Sequence, residues 1–457
     1  MLALFVALVA LAPPDVPADT VDAFVTTQMT KQHIPGCSIA IVKNGEIALV
    51  RGYGLASEEL QAPATADTVY EIGSMTKQFT AAAIMMLAEQ GKLALSDPLS
   101  KFLKDIPETW KPITLRQLLN HTSGIKNYTE VGSFLALARN PHTATEIVKL
   151  VRDAPLEFTP GSRFSYSNTG YYLLGLVIEK ASGQSYMSFL TERILTPLGM
   201  TATRDSDPAA VIPHRSCGYS WLGSLNNRPL IQPSAAFSAG ELVSTVGDLA
   251  KWDAALCSNR ILPQAQLKRM WTSGKTTAGQ PTGYGFGWAV GKINGHTLVE
   301  HGGGTAAFST IISRFPDDKL TVIVLTNLAD ASTPAIAHGI ASLIDPALAP
   351  PKPAGTDPDP KRTARILAIW KAVQAGNAGM NDFTVQARNE LAPHMKEAAA
   401  QLSALGPVKS FTFVSSKQVT GGGVAVTYRA EHQNATLNVI AVVMSNGQLA
   451  ALVGRPE

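Results

Sequence analysis

A serine and a lysine three residues apart form the first group in this chain that could perform chemistry. Ser74 and Lys77 lie in the segment 71–77, where an apolar helical pattern begins, so their side chains share one face of that helix. A serine hydroxyl is a weak nucleophile until a neighbouring base takes its proton, and lysine is that base only where its charge is disfavoured. The spacing indicates this pair, although a helix-capping serine beside a solvated lysine would have the same sequence.

Two further polar groups follow, each beside an expected helix or strand. Tyr166 and Asn168 precede an apolar helical run, and His301 begins a His-Gly-Gly-Gly sequence that ends at Gly304. Taken singly, each has an ordinary structural explanation: a core aromatic, a turn residue and a histidine packed on a strand. The presence of all three groups in one order makes coincidence the weaker explanation.

The three groups resemble the motifs of the serine penicillin-recognising hydrolases, which include class C β-lactamases, D,D-carboxypeptidases, D-aminopeptidases and related esterases. Members carry Ser-x-x-Lys, Tyr-x-Asn and a Lys-Thr-Gly or His-x-Gly triplet, a variant of a known motif set. The similarity extends to the stretches 118–124, 238–240 and 284–288. It covers roughly residues 20–345 and excludes the tail.

The resemblance implies a role for each matching residue. Ser74 would be the acylated nucleophile, Lys77 its proton partner, and Tyr166 a second general acid or base whose phenol is held at a low pKa by neighbouring cations. Asn168 would contact the substrate amide or Lys77. The backbone N–H groups of Ser74 and Gly304 would form an oxyanion hole, which typically matters by about 10²–10³-fold per donor.

The triplet departs from the Lys-Thr-Gly form, because His301 replaces the lysine and is followed by Gly302 and Gly303. By the resemblance, His301 and Gly303 would border the substrate. The lysine would pair with the carboxylate of a β-lactam, whereas a histidine titrates near a pKa of about 6.5. We therefore expect the protonation of His301 to affect turnover. We also expect the substrate to be an ester, a D-amino-acid amide or a peptide in preference to a β-lactam. A non-hydrolytic penicillin-binding or interaction protein on the same fold is the alternative.

The strand and helix patterns around these residues predict an α/β (α+β) domain over residues 19–345. Strand-forming runs flank Asn44-Gly45, a strong hairpin signal. Four later strand patterns, of which the first covers 284–290, precede a helix over Thr333–Ile344. A helix over 75–90 and a mostly helical region over 95–270 lie between them. Strands at both ends indicate one antiparallel sheet flanked by helices with an inserted helical region, and the resemblance makes that fold β-lactamase-like.

A separate module is expected after a proline-rich linker over 346–360, which contains six prolines and behaves as a semi-rigid spacer. Residues 361–457 show one helical stripe and then four short strand patterns separated in part by glycine-rich turns. This pattern predicts a small α+β accessory domain, for which a cystatin-like arrangement is one option. The tail shows no catalytic cluster.

Composition limits the function further. The 457 residues are 45% hydrophobic and 16% charged with a net charge of +3, which is typical of globular domains and gives no basic block for nucleic acid. The sequence contains no metal-binding or nucleotide-binding motif, so we expect no metal, no cofactor and a small-molecule or peptide substrate. Three scattered cysteines are interpreted as buried apolar residues, with one disulfide as the alternative. The oligomeric state stays open.

The first residues predict export to the periplasm or the medium. An apolar run followed by Pro13 and Pro14 has the length of a signal peptide, with small-residue cleavage sites near Ala12 and Ala18. No lysine or arginine precedes that run, and an N-terminal helix or an upstream start codon is the alternative. No other apolar stretch approaches the roughly 18 residues that a membrane span needs.

Overall fold

A computed structural model of the chain describes residues 16–132, 137–228, 231–349, 356–392, 395–419 and 423–456. The chain divides into two compact units, of which the first ends at Ala349 and the second spans Pro350–Glu457. Residues 1–15 of the expected signal segment 1–18 and residues 350–355 of the expected linker 346–360 fall outside the described residues. Both stay predictions.

The first unit contains short and long strands that alternate with helices. Its strands are β1 (Gly36–Lys43), β2 (Glu46–Ser57), β3 (Ala62–Pro63), β4 (Tyr70–Glu71), β5 (Arg204–Asp205), β6 (Tyr219–Trp221), β7 (Leu225–Asn227), β8 (Leu242–Ser244), β9 (Ala289–Ile293), β10 (His296–Gly304), β11 (Ser309–Phe315) and β12 (Leu320–Thr326). Its α-helices are α1 (Ala18–Gln32), α2 (Thr76–Glu89), α3 (Leu115–Leu119), α4 (Ala144–Arg152), α5 (Asn168–Ser182), α6 (Tyr186–Leu190), α7 (Thr196–Leu198), α8 (Pro233–Ala236), α9 (Val246–Leu256), α10 (Gln264–Met270) and α11 (Thr333–Ile344).

Seven of these strands form one antiparallel sheet in the order β3-β2-β1-β12-β11-β10-β9. β1 pairs with β12, which places Cys37 opposite Thr326 and brings the two ends of the unit together in the sheet. Asn44 and Gly45 both have positive φ, at 56° and 82°, as a two-residue hairpin of the I′ type requires. The hairpin and the sheet closure expected from the sequence are confirmed.

The sheet separates two apolar cores. β12 is buried along its length, and its side chains alternate between the two faces. Val322 and Val324 join the core that contains residues of α1 and α11, whereas Ile323 and Leu325 join the larger core on the side of the helical region. α2 runs through that larger core, and its residues from Thr76 to Leu87 are all buried, so the helix is held on every side.

Two expectations fail in detail. The stretch 284–290 was expected to form a strand, but β9 begins only at Ala289, because Gly287 has a φ of 76° and lies against α2. A Cβ on Gly287 would lie 2.6 Å from the Lys77 carbonyl oxygen. The interpretation of all three cysteines as buried is also wrong. Cys37 is buried, Cys217 is partly buried, Cys257 is exposed, and all are free.

The second unit has a core of its own. Its helices are α12 (Pro360–Gln374), α13 (Val385–Leu391) and α14 (Met395–Ala404), and its strands β13 (Val408–Val419), β14 (Gly423–His432), β15 (Thr436–Val443) and β16 (Leu449–Pro456) form a four-stranded antiparallel sheet in chain order. Trp370 of α12 and Tyr428 of β14 lie in one apolar cluster. The predicted fold class, an antiparallel sheet with helices and a small C-terminal α+β module, is therefore confirmed. In the described part of the chain no helix is both long and apolar enough to cross a membrane.

Candidate active site

The backbone around Ser74 brings the nucleophile beside the end of β10. A single 3₁₀ turn over Gly73–Met75 leads from β4 into α2, so Ser74 lies at a helix N-terminus, where amide groups favour negative charge. Gly73 has a φ of 51°, and a Cβ there would lie 2.9 Å from the backbone nitrogen of Gly304. Glycine at this position therefore allows the close approach that places Gly304 next to the Ser74 turn. The two backbone N–H groups expected to form an oxyanion hole belong to these adjoining segments.

Lys77 is completely buried and contacts three oxygen atoms. Its Nζ lies 2.9 Å from Ser74 Oγ, 2.8 Å from Asn168 Oδ1 and 2.6 Å from the carbonyl oxygen of Ala239. Burial lowers the pKa of Lys77 well below its usual value. When the amine is neutral, it has two N–H groups for the two oxygen atoms that can only accept, and its lone pair can accept the Ser74 hydroxyl hydrogen. This arrangement allows Lys77 to take a proton from Ser74.

Asn168 is oriented by two other hydrogen bonds. Its Nδ2 donates to Thr129 Oγ1 at 3.1 Å, which leaves Oδ1 to accept from Lys77, and its backbone N–H donates to Asn127 Oδ1 at 3.1 Å. Of the two contacts expected for Asn168, the one with Lys77 is present in the structure.

Tyr166 lies against Lys77, but its acidity differs from the expectation. The Lys77 Nζ is 5.0 Å from the centre of the Tyr166 ring, and the centres of the Tyr166 and His121 rings are 4.3 Å apart. Burial raises the pKa of the Tyr166 phenol, and the interaction with the Ser74 hydroxyl offsets this only in part. The prediction of a low phenol pKa is therefore wrong, because the nearby lysine is itself buried and favours its neutral form. Tyr166 is a protonated phenol.

His301 is a neutral, fully engaged side chain. Its Nδ1 lies 2.6 Å from the carbonyl oxygen of Gly302 and its Nε2 lies 2.8 Å from the Tyr284 hydroxyl. A carbonyl only accepts, so Nδ1 carries the proton and Nε2 accepts from Tyr284. The residue is 6% exposed, and burial lowers its pKa to about 3. The expectation that His301 titrates near pH 6.5 is wrong, since burial disfavours the imidazolium.

This burial predicts how His301 affects stability. A histidine whose pKa falls from 6.5 in the unfolded chain to about 3 in the folded protein stabilises the fold above pH 6.5, and the contribution is lost as the pH falls toward 3. Between pH 6.5 and pH 3 the free energy of unfolding should fall in both proteins. We expect this fall to be about 2–5 kcal/mol smaller in His301→Gln than in the wild type. Urea titrations at several pH values measure the difference, and equal acid sensitivity of both proteins would contradict the assignment.

The cleft beside Ser74 is small and uncharged. Its volume is about 70 Å³, enough for a few water molecules. The lining consists of Gly73, Ser74, Tyr128, Thr129, Asn168, Ile231, Ala236, Ala239, Gly240, Gly304 and Thr305. Among the described residues, therefore, no charged side chain lines this cleft.

Sequence reasoning missed two groups that shape the site. The Ala239 carbonyl accepts from Lys77, and the Tyr284 hydroxyl fixes the His301 tautomer. Both lie in stretches that resembled the family, yet a backbone carbonyl carries no residue signature. The Ser238 carbonyl next to Ala239 accepts from the buried Thr80 hydroxyl at 2.7 Å, which anchors this segment to α2. His121 links two loops next to the site, because its Nδ1 accepts from the Ser167 N–H at 3.1 Å.

Ser74, the buried Lys77 amine and the Tyr166 phenol lie together beside the end of β10, in the arrangement that the resemblance to penicillin-binding-like serine hydrolases implies. The family described as Beta-lactamase matches residues 21–344. The chain belongs to the Beta-lactamase family.

Individual relatives are similar over most of the same region. Protein flp of Staphylococcus aureus (strain N315) is 32% identical over 324 residues, which are 69% of this chain and 64% of that protein's length. The octameric penicillin-binding protein homologue from Pyrococcus abyssi has a TM-score of 0.64 at 28% identity and matches 95% of both chains. The D-stereospecific amidohydrolase from Streptomyces sp. has a TM-score of 0.61 at 29% identity, over 71% of this chain and 97% of its own.

Proposed function

We propose that this chain hydrolyses esters and D-amino-acid amides through a covalent acyl-enzyme on Ser74. The observation that carries the proposal is the buried Lys77 amine, 2.9 Å from Ser74 Oγ and held by two oxygen atoms that can only accept. An amine in this setting takes the hydroxyl proton as the serine attacks a carbonyl carbon. The C–O or C–N bond to the leaving group then breaks, and water releases the acyl group from Ser74.

The two titratable partners of Ser74 have opposite pKa shifts, which assigns their roles. Burial lowers the pKa of Lys77 and raises that of Tyr166. Lys77 therefore acts as the base in acylation and, once protonated, returns that proton to the departing oxygen or nitrogen, while the Tyr166 phenol keeps its proton and acts as a hydrogen-bond donor. The N–H groups of Ser74 and Gly304 would bind the oxyanion, where each preorganised donor is worth about 10²–10³-fold in rate.

The preference for substrates without a carboxylate follows from the cleft. β-Lactams and peptides that end in D-alanine carry a carboxylate near the reacting carbonyl, and a fixed cation is the natural partner for it. Here His301 is neutral, with both ring nitrogens engaged, and the described lining has no charged side chain. Esters and primary amides lack that carboxylate. Similarity to the D-stereospecific amidohydrolase from Streptomyces sp. supports the amide part of the proposal.

A substrate panel tests the preference. We expect kcat/KM for a p-nitrophenyl acyl ester and for a D-amino-acid amide to exceed that for a chromogenic β-lactam by about 100-fold, the scale of one unpaired charged group at 2–3 kcal/mol. The matching L-amino-acid amide serves as the control for stereospecificity. A β-lactam turned over as fast as the ester would contradict the proposed substrate class while leaving the Ser74 mechanism intact.

A non-hydrolytic penicillin-binding protein is the second candidate, favoured by the similarity to the penicillin-binding protein homologue from Pyrococcus abyssi. Such a protein would react once per chain and stop, because deacylation would be slow. Steady turnover of the ester beyond one equivalent per chain supports the hydrolase, and a single stoichiometric burst with every substrate supports the alternative.

A further inference from the structure

Glu71 is a buried carboxyl group next to the active-site cleft. It lies on β4, three residues before Ser74, and is 3% exposed. Neither carboxyl oxygen has a hydrogen-bond partner within the described part of the chain. Burying a carboxyl without such partners costs free energy, so its presence here is not explained by stability.

The polar groups that face Glu71 belong to two walls of the site. The Thr305 hydroxyl and the Ile231 backbone, which both line the cleft, favour the charged form of the carboxyl. Arg215 is the charged group that faces it, and the buried Nε of that guanidinium also lacks a partner in the described structure. The unpaired carboxyl and the unpaired N–H thus belong to neighbouring, oppositely charged side chains.

Thr305 connects Glu71 to the oxyanion hole. It follows Gly304, and its Oγ1 accepts hydrogen bonds from the backbone N–H groups of Ala307 and Phe308 at 3.3 and 3.2 Å. Those bonds occupy the oxygen as acceptor and leave its hydrogen to donate. The facing carboxylate is the acceptor that would fix this hydroxyl, and with it the turn that begins at Gly304.

We propose that Glu71 is a positioning residue whose carboxylate, by attracting Arg215 and the Thr305 hydroxyl that face it, keeps the Gly304 N–H aimed at the oxyanion. The inference rests on the proposed acyl transfer at Ser74. Glu71 is not among the described residues that line the cleft, so it acts on the site through Thr305, which is.

The charged form of Glu71 that this role requires should lower the stability of the fold. Burial raises the pKa of Glu71 from 4.5 to about 7. The folded protein therefore binds this proton more tightly than the unfolded chain, and stability is lost as the pH rises from 4.5 through 7. The charged form needed for positioning is thus the form that destabilises the fold. A residue with a purely structural role would show no such opposition.

The test compares Glu71→Gln with the wild type from pH 5 to 9, using kcat, KM and melting temperature. At pH 8 we expect kcat to fall about 10-fold, the equivalent of one charge-assisted hydrogen bond, with KM nearly unchanged. The melting temperature should rise by about 2–4 °C at pH 8 and should change little at pH 5. An ionisation near pH 7 in the wild-type kcat profile should be absent from the variant.

Controls separate this inference from the proposed function. Glu300→Gln changes a carboxyl on the strand that carries His301, where it accepts from Ser313 and contacts His338, and should leave kcat and its pH profile unchanged. Thr305→Val should remove the same ionisation from the kcat profile. The double variant with Glu71→Gln should have the same kcat as Thr305→Val alone. Thr305→Val decides the matter if Glu71→Gln does not fold.

Two outcomes would overturn the role of Glu71: a kcat at pH 8 within twofold of the wild type, or a parallel fall of kcat and melting temperature at every pH. Residual turnover by Ser74→Ala in the same assay would refute the proposed function instead.

Discussion

Ser74→Ala is expected to lower kcat by about 10⁴-fold or more, because the variant retains the cleft but has no oxygen to form the acyl bond. The protein should remain folded. Ser74 is partly exposed and its hydroxyl contacts the buried Lys77 amine, so loss of the hydroxyl should cost about 1–2 kcal/mol. Steady-state kinetics with a p-nitrophenyl ester and a thermal melt measure both effects.

The matched control for this change is Ser342→Ala on α11, where the hydroxyl donates to the Gly339 carbonyl in the same helix. It should leave kcat unchanged. Turnover by Ser74→Ala above a tenth of the wild-type value would mean that another group is the nucleophile.

Lys77→Met and Lys77→Arg are both expected to lower kcat by about 10³-fold, within the usual range for loss of a general base. Methionine keeps much of the length of the side chain and removes the amine. Arginine keeps a cation but does not lose its proton in proteins, so it cannot take the proton of Ser74. Comparison of the two variants therefore separates a base from a mere positive charge.

The pH profile gives a second readout for Lys77. Because burial lowers its pKa, kcat/KM of the wild type should rise with pH through that ionisation and reach a plateau well below pH 10.5. Lys104→Met, at an exposed lysine of the same unit, should leave the profile unchanged. Substantial activity of Lys77→Arg would show that charge at this position, rather than proton transfer, supports the reaction.

Local signals in the sequence predicted much of the fold. The Asn44-Gly45 turn and the helix over Thr333–Ile344 match the expectation because turn chemistry and apolar periodicity are properties of neighbouring residues. The strand expected over 284–290 failed for a non-local reason. Gly287 packs against the backbone of Lys77, more than two hundred residues away, and no local pattern encodes that contact.

The candidate site shows the same division. Motif order predicted that Ser74, Lys77 and Asn168 meet, and their Nζ–oxygen distances of 2.9 and 2.8 Å agree. The protonation states could not be predicted, because they depend on how deeply tertiary packing buries each group. For this reason His301 was expected to keep its ordinary pKa and Tyr166 to have a lowered one, whereas burial lowers the pKa of His301 and raises that of Tyr166. Glu71 stands inside the first motif, yet its isolation from partners is visible only in the folded chain.

The central claim is that Ser74 carries the acyl group during turnover. Rapid acid quenching of the protein during hydrolysis of a p-nitrophenyl ester, followed by mass spectrometry of the intact chain and its peptides, tests it most directly. We predict one acyl group per chain, on the peptide that contains Ser74, and none on Ser74→Ala treated in the same way. An acyl group on a different residue during turnover, or steady product release with no acylated protein, would contradict the account.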